Sequence, residues 1–419
     1  MAELNEADVV ANELERVKSR VPALFDRDDT FFATIDKSTG VEKISARDMR
    51  LPLEIRPNGD IGHFDPDGGD MGVGSGPEFD KAVINSVHLK HAVQWTKKSE
   101  WATDDKRKAV VNTVRHLLAK AMADFRRGID SLCMTAGNGV LGVISAVSAE
   151  TGQDLVTFGT DGFGVRLMRY NQKITYYEPD LSAVIHSSGV DTPITYHDPE
   201  NKQIRTATTT GLAAADIAVA EGLSGASPTS IFGVPYHHSN ASTGTWLGFD
   251  RALTPEIRAN RVNAGGDLTL AQPRLALNKI GNRVGRGFNK KIAAWMHHCQ
   301  QHAYEQLGQL VSVINKSASE QNLNLYFGDG MQMAGAPVKT HYSWDKTRID
   351  FIVKGGWGRA EMHPASFYEV QGRKVWPLYG TSGGLKASCI FYITASFNLF
   401  VENPAECSYV DGLNVLSGY

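Results

Sequence analysis

The sequence predicts an α+β protein organised around one long helix. Three observations carry this: an unbroken helical periodicity around residue 120, period-two runs on either side of it, and a glycine- and proline-rich excursion ahead of it. At 419 residues the chain exceeds what one hydrophobic core usually supports, so roughly two or three packed lobes are expected.

The helix is the strongest element. From Asp104 to Cys133, the residues Val110, Val114, Leu117, Leu118, Ala121, Phe125, Ile129 and Leu132 recur at steps of three and four. No proline interrupts them, and Gly128 is the weak point. Thr103, Asp104 and Asp105 supply capping oxygens and favourable first-turn charge, and Gly137 stands just beyond the end. A helix over 104–133 would be roughly 45 Å long at 1.5 Å per residue, the dimension of a structural strut.

Ahead of the helix, Val10, Leu14, Val17 and Val21 mark one face of a short amphipathic helix that Pro22 ends. Pro52, Pro57, Pro66 and Pro77, set among glycines and aspartates, predict a long hairpin excursion with an acidic tip. Its Leu53, Ile55, Ile61 and Phe64, like the N-terminal stripe, have no small local core to enter. Val83, Val87, Leu89, Val93 and Trp95 then alternate on one face of a long strand.

After the helix, "TAGNGVLGVISAV" contains G-x-G-x-x-G at Gly137, Gly139 and Gly142. A dinucleotide site needs a strand before these glycines and a helix after them, because the pyrophosphate sits on that helix's N-terminus. Here the order is reversed, so the glycines are expected to stop the helix and turn the chain into a strand. Further on, "LVTFG", "GVRLMRYNQKITYYE" and "SAVIHS" predict strands, "GLAAADIAVAEGL" an Ala-rich helix, and "FNKKIAAWMHHCQQHAYEQLGQLVSVINKS" a second helix.

Composition excludes several functions. A hydrophobic fraction of 42% with 21% charged residues and 41 glycines describes a globular chain rich in turns. A net charge of -3 gives no global attraction to nucleic acid or anionic membrane, so any polyanion contact must be local. Cys133, Cys299, Cys389 and Cys407 show no paired spacing, which fits a reducing, cytosolic birthplace. The acidic N-terminus lacks the features of a signal peptide. The most apolar stretch, "CIFYITASFNLFV", has about 13 residues where a membrane-spanning helix needs about 20, so no membrane partner is expected.

Candidate chemistry is sparse. Arg258, Arg261, Arg274, Lys279, Arg283, Arg286, Lys290 and Lys291 form a basic run with the single acid Asp267, read as a solvated glycine-rich loop or a protein contact in preference to DNA. His298 and His302 share a helix face beside His297 and Cys299, but a zincin needs Glu directly after the first His, where Cys299 stands. His237 and His238 lack a matched acid or nucleophile in sequence and receive no role. No serine lies in a G-x-S-x-G elbow, and "DGGDMGVGSGP" lacks the lysine of a P-loop. No catalytic residue, metal ligand or cofactor site is therefore assigned, and no enzyme activity is expected.

The order of N-terminal helix, long Gly/Pro/Asp hairpin, strand "VHLKHAVQWTKKSEWA", long helix "DDKRKAVVNTVRHLLAKAMADFRRGIDSLCM" and then "AGNGVLGVIS" resembles the tailed-bacteriophage major capsid proteins of the HK97 fold. The later stretches "LYFGDGMQMAGAPVKTHYSWDKTRIDFIVKGGWGRAEM" and "LKASCIFYITASFNLFVENPAECSYV" resemble that family's returning strands. The resemblance implies an N-terminal arm over 1–49, an extended loop over 50–82, and a peripheral domain over 83–149 with its spine helix at 104–133. It further implies an axial domain over 150–323, then returning peripheral strands and a C-terminal segment over 324–419.

In function it implies a self-assembling structural subunit of an icosahedral virion enclosing double-stranded DNA, built of pentamers and hexamers in the host bacterial cytoplasm. A portal protein, possible decoration proteins and weak contact with packaged DNA are its expected partners. Some members carry a long cleaved N-terminal scaffolding region, whereas only about 30 residues precede "TFFATIDKSTG" here, so a separate scaffolding protein is expected. Two alternatives remain: an encapsulin-like nanocompartment shell, and a soluble metal-dependent α/β enzyme using His298 and His302.

Overall fold

The structure is a computed structural model that describes residues 30–36, 41–43, 48–58, 63, 66–67, 76–98, 113–159, 163–185, 192–223, 225–285, 292–314, 331–371 and 373–419. The N-terminal stripe of Val10 to Val21, the first turns of the expected 104–133 helix, Ile61 and Phe64 lie outside those residues.

A short helix α1 (Thr30–Asp36) leads to strand β1 (Val41–Lys43) and then to the hairpin of β2 (Asp48–Arg56) and β3 (Glu78–Asn85). The expected single strand from Val83 to Trp95 is divided at Ser86, where β3 gives way to β4 (Val87–Thr96). Pairing explains the division: among the described strands β3 pairs with β2, whereas β4 joins a sheet by pairing its whole length with a later strand. The spine helix α2 (Thr113–Leu132) follows, about 30 Å long over its described residues. Ala121, Phe125 and Ile129 are buried along it with Leu117 and Leu132 partly so, members of the stripe that the periodicity predicts.

Beyond Gly137 and Gly139, both at positive φ (86° and 69°), the chain enters β5 (Val140–Glu150) and β6 (Gln153–Phe158). Helix, turn and strand thus occur in the order that excludes a dinucleotide loop. A Cβ on Gly142 would sit 2.7 Å from the Phe158 ring, so close strand packing also needs that glycine.

Strands β7 (Lys173–Tyr177), β8 (Thr192–Pro193), β9 (Tyr196–Asp198), β10 (Gln203–Ala207) and β11 (Ile217–Ala220) complete a seven-stranded sheet in the order β8-β7-β11-β5-β6-β10-β9. Two expectations are corrected here. The Ala-rich stretch 211–223 is not a helix, because Ile217–Ala220 is hydrogen-bonded between β5 and β7 and non-local pairing overrides alanine's helix propensity. The described part of "SAVIHS", residues 182–185, contributes a bridge between Tyr177 and Val184.

After helix α3 (Val234–His237) and the ribbon of β12 (Thr245–Trp246) and β13 (Phe249–Asp250) come β14 (Asn260–Gly266), α4 (Ala271–Val284), β15 (Ile292–Met296) and α5 (His298–Ile314). The helix expected from Phe288 onward thus begins only at His298. Residues 292–296 are buried throughout as a central strand, and no periodicity separates such a run from a buried helix.

The chain continues through β16 (Gln332–Met333), β17 (Ala336–Thr340), β18 (Ile349–Val353), β19 (Trp357–Phe367), β20 (Trp376–Tyr379), the 17-residue β21 (Leu385–Val401) and β22 (Ser408–Leu413). β21 is the axis of the sheet that backs the spine helix. It pairs with β4 over Ser388–Phe397 and with β19 over Ile393–Val401. A six-stranded sheet runs β14-β22-β18-β15-β17-β16.

These sheets cross the expected boundaries. β5 lies before residue 150 yet belongs to the seven-stranded sheet, and β17, β18 and β22 lie after 323 yet share a sheet with β14 and β15. Sheet hydrogen bonds thus tie chain on both sides of 149/150 and of 323/324.

Candidate functional site

Among the described residues no group of three His, Cys, Asp or Glu side chains is placed to hold a metal ion. What the structure concentrates instead is a set of buried polar joints between its sheets, and apolar surface at its extremities.

One joint closes the C-terminal end of α2. Asp130, 2% exposed, accepts the Phe32 backbone N–H at 2.8 Å through Oδ1 and the His341 Nε2–H at 2.5 Å through Oδ2. His341 Nδ1 accepts from Ser343 N (3.1 Å), which leaves the ring proton on Nε2. A single carboxylate thus ties the spine helix to α1 and to the loop before β18. Phe31 completes the contact by packing edge-on against Trp295, Trp344 and Trp357, with centroids 5.2, 5.4 and 5.6 Å away.

A second joint centres on Asp350, also nearly inaccessible. It accepts from Arg348 Nε (3.0 and 2.9 Å), Arg348 Nη2 (2.6 Å), Trp344 Nε1 (3.1 Å) and His238 Nδ1 (3.0 Å). Arg348 also donates to the His238 carbonyl and lies 3.9 Å over the Tyr409 ring. Burial opposes charge on Asp350, but the Arg348 guanidinium and His238 outweigh it and hold the carboxyl below its usual range. Burial likewise opposes charge on His238, yet Cys407 and Asp350 beside it carry the imidazole up to about 9.

The neighbouring His237 has the opposite environment. Its Nδ1 accepts from Trp246 Nε1 (3.1 Å) and its Nε2 faces the Leu399 carbonyl (3.2 Å), while burial and then the adjacent His238 pull it down to about 3. A third joint is Asn398, fully buried, whose Oδ1 accepts Phe232 N and whose Nδ2 donates to Asn85 O, both at 2.9 Å. It ties the base of the hairpin to Phe232 in the segment leading into α3. There a Cβ on Gly233 would lie 2.2 Å from the Cys133 carbonyl oxygen.

His237 and His238, which sequence gave no role, therefore anchor two of the sheets. Their partners lie 162 and 112 residues away, so no local pattern could have found them. His298 and His302 remain on one face of α5, both exposed, and His302 Nδ1 meets Tyr419 Oη at 3.2 Å. Cys299 is buried beneath them, its Sγ accepting from Leu416 N.

The basic run is not a free loop, which corrects that part of the expectation. Arg261 grips Asp411 (2.9 and 2.7 Å), Lys279 donates to Arg261 O (2.6 Å), Arg258 to Arg251 O, and Arg283 to the Arg258 and Pro255 carbonyls. These cations staple α4 to the chain before it. Arg274 is exposed, and Arg286, Lys290 and Lys291 lie outside the described residues.

The hairpin is covered at its base by its own chain. Leu53 and Ile55, expected to have no small local core, pack with Leu51 on a cluster from distant parts of the chain that includes Trp246, Phe249 and Phe400. Farther out the apolar surface is open. Phe79 is 65% exposed, and at the tip where β20 turns into β21, Tyr379 and Leu385 are 64% and 69% exposed.

Similarity to known structures follows this architecture. No family model matches the chain, and no curated protein does. The capsid subunit of cyanophage A-1(L) superposes with a TM-score of 0.58 at 12% identity, covering 96% of this chain and 97% of that one. The capsid of a native GTA particle (TM-score 0.47, 12% identity, 98% and 100% covered) and the SrpI encapsulin of Synechococcus elongatus PCC 7942 (0.46, 8%, 98% and 97%) also align along their lengths. The chain has the HK97-type capsid fold, with extended hairpin, spine helix and backing sheet in the expected order.

Proposed function

We propose that the protein is the major capsid protein of a tailed bacteriophage, a structural subunit that assembles through pentamers and hexamers into an icosahedral shell round double-stranded DNA. One observation carries this reading: the end-to-end superposition on the cyanophage A-1(L) capsid subunit, covering 96% and 97% of the two chains. The buried joints support it, since a shell subunit must hold fixed angles between its lobes. So does the apolar surface of Phe79, Tyr379 and Leu385 at the extremities, which a neighbouring copy would cover. On this reading the protein resides in the virion, acts with a separate scaffolding protein and a portal protein, accepts decoration proteins on its outer face, and performs no catalysis.

Expression of the chain with its scaffolding protein, followed by light scattering and negative-stain imaging, tests the proposal. Closed shells that fill with DNA during infection support it. Shells filled with a cargo protein establish the nanocompartment, and a monomer or small oligomer after co-expression overturns both.

A further inference from the structure

Between α1 and one face of the six-stranded sheet lies a cavity of about 530 Å³. The strand register explains its walls. β15 runs between β17 and β18, with Trp295 level with Lys339 and Ala293 level with Ile352. Successive side chains point to opposite faces of a sheet, so Ala293, Trp295, Lys339 and Ile352 share the cavity face, and Lys354, one step past β18, joins them. Ala294, Met296 and Phe351 point the other way, into a separate core. Phe31 and Ile35 of α1 and Trp357 of β19, all buried, close the cavity opposite the sheet. Ala334, Gly335, Lys354 and Gly355 are exposed and form its mouth.

The described lining is apolar except for Thr34 and two charged side chains, Lys339 and Lys354, both cationic. Lys339 Nζ lies 5.0 Å from the centre of the Trp295 ring, so its charge stands over the apolar wall. Neither ammonium has an ion pair among the described residues. Burial, then Lys354, holds Lys339 below its ordinary range, as expected of a cation beside an apolar wall with a second cation near it. Apolar walls with a few charged groups, enclosing this volume, are the form of a small-molecule site. A protein helix about 10 Å across would exhaust the space in little more than one turn, whereas an extended hydrocarbon chain is narrow enough to enter.

We propose that this cavity binds a fatty-acid-like anion, its acyl chain against Phe31, Ile35, Trp295 and Trp357 and its carboxylate at the mouth with Lys339 and Lys354. The chain removes apolar wall from water, and the carboxylate supplies the counter-charge that both lysines lack. Every residue involved belongs to one subunit, so binding does not rest on shell assembly.

Titration of the purified full chain with octanoate, decanoate and dodecanoate, each below its micellar concentration and followed by tryptophan fluorescence, tests the assignment. Saturable one-to-one binding is expected, tightening about fourfold per added methylene, and a terminally brominated dodecanoate should quench the fluorescence as it saturates. Dodecanol, equal in length but uncharged, should bind about tenfold more weakly, the worth of one charge-assisted hydrogen bond. Lys339→Gln should weaken dodecanoate about tenfold and leave dodecanol unchanged. Lys374→Gln, which removes an exposed lysine paired with Glu369, should alter neither. Absence of saturable binding up to about 1 mM dodecanoate, dodecanol binding as tightly as dodecanoate, or unchanged affinity in both Lys339→Gln and Lys354→Gln overturns the proposal.

Discussion

At Asp350 one buried carboxylate answers Arg348 and Trp344 from the loop just before it and His238 from 112 residues away, so its removal strands more than one group. Asp350→Ala leaves Arg348 charged and unpaired in the interior, and breaking a buried pair on one side typically costs about 3–5 kcal/mol. Urea unfolding of the subunit should show that loss, and an unchanged midpoint would mean that the joint bears no load. The two histidines beside it titrate in opposite senses. His237, held near about 3 against an ordinary 6.5, is neutral when folded and takes up a proton when unfolded. Its contribution is complete above the ordinary value and lost as pH falls toward the folded one. His238, raised to about 9, contributes fully below 6.5, and that stability is lost as pH rises through 9. Unfolding midpoints should therefore decline on both sides of neutrality, and His238→Gln should flatten the alkaline limb. An alkaline limb as steep in the variant as in the parent would show that His238 is not charged in the fold.

Among elements, the spine helix is where sequence and structure agree best. Phe125 is buried on its stripe and stacks on His91 of β4, with centroids 6.3 Å apart and planes 30° from parallel. Phe125→Ala should cost about 3–5 kcal/mol and lower the yield of folded subunit, and a melting temperature equal to the parent's would show that the stripe carries no packing load. The helix was legible because its signal is local: an amphipathic period, then glycines whose positive φ other residues avoid. The same locality explains the failures. Residues 292–296 are buried on every side between β17 and β18, so they present neither alternation nor a stripe. Residues 217–220 read as helix by composition and become a strand only because β5 and β7 receive them. The polar joints were illegible for a stronger reason, since Asp130 and His341 lie 211 residues apart and neither is marked by its neighbours in sequence.

For the whole molecule, the proposed capsid role would place function in how copies meet, and the charge distribution would decide what such a shell does to its contents. The hairpin is anchored at its base by Trp246 and Phe400 and ends in open apolar surface at Phe79. Deleting residues 57–77 should therefore leave a folded subunit that forms capsomers or aggregates in place of closed shells, and normal shells by light scattering would refute that. DNA packed at high density must slide, and a lining rich in Lys and Arg contacts to phosphate would resist both packaging and release. On the proposed reading, this chain should present no such lining. Its net charge is -3, and its N-terminal segment sets Glu3, Glu6, Asp8, Glu13 and Glu15 against Arg16, Lys18 and Arg20. Arg258, Arg261, Lys279 and Arg283 of the basic run are occupied by carbonyls and by Asp411 within the subunit. Those four cations are not free to release counterions from a duplex, so free subunits should bind DNA weakly, without sequence preference, and with a shallow dependence on salt. Filter binding at about 150 mM salt should give dissociation constants in or above the micromolar range of ordinary non-specific contact, and submicromolar affinity would show that a cationic surface faces the DNA after all.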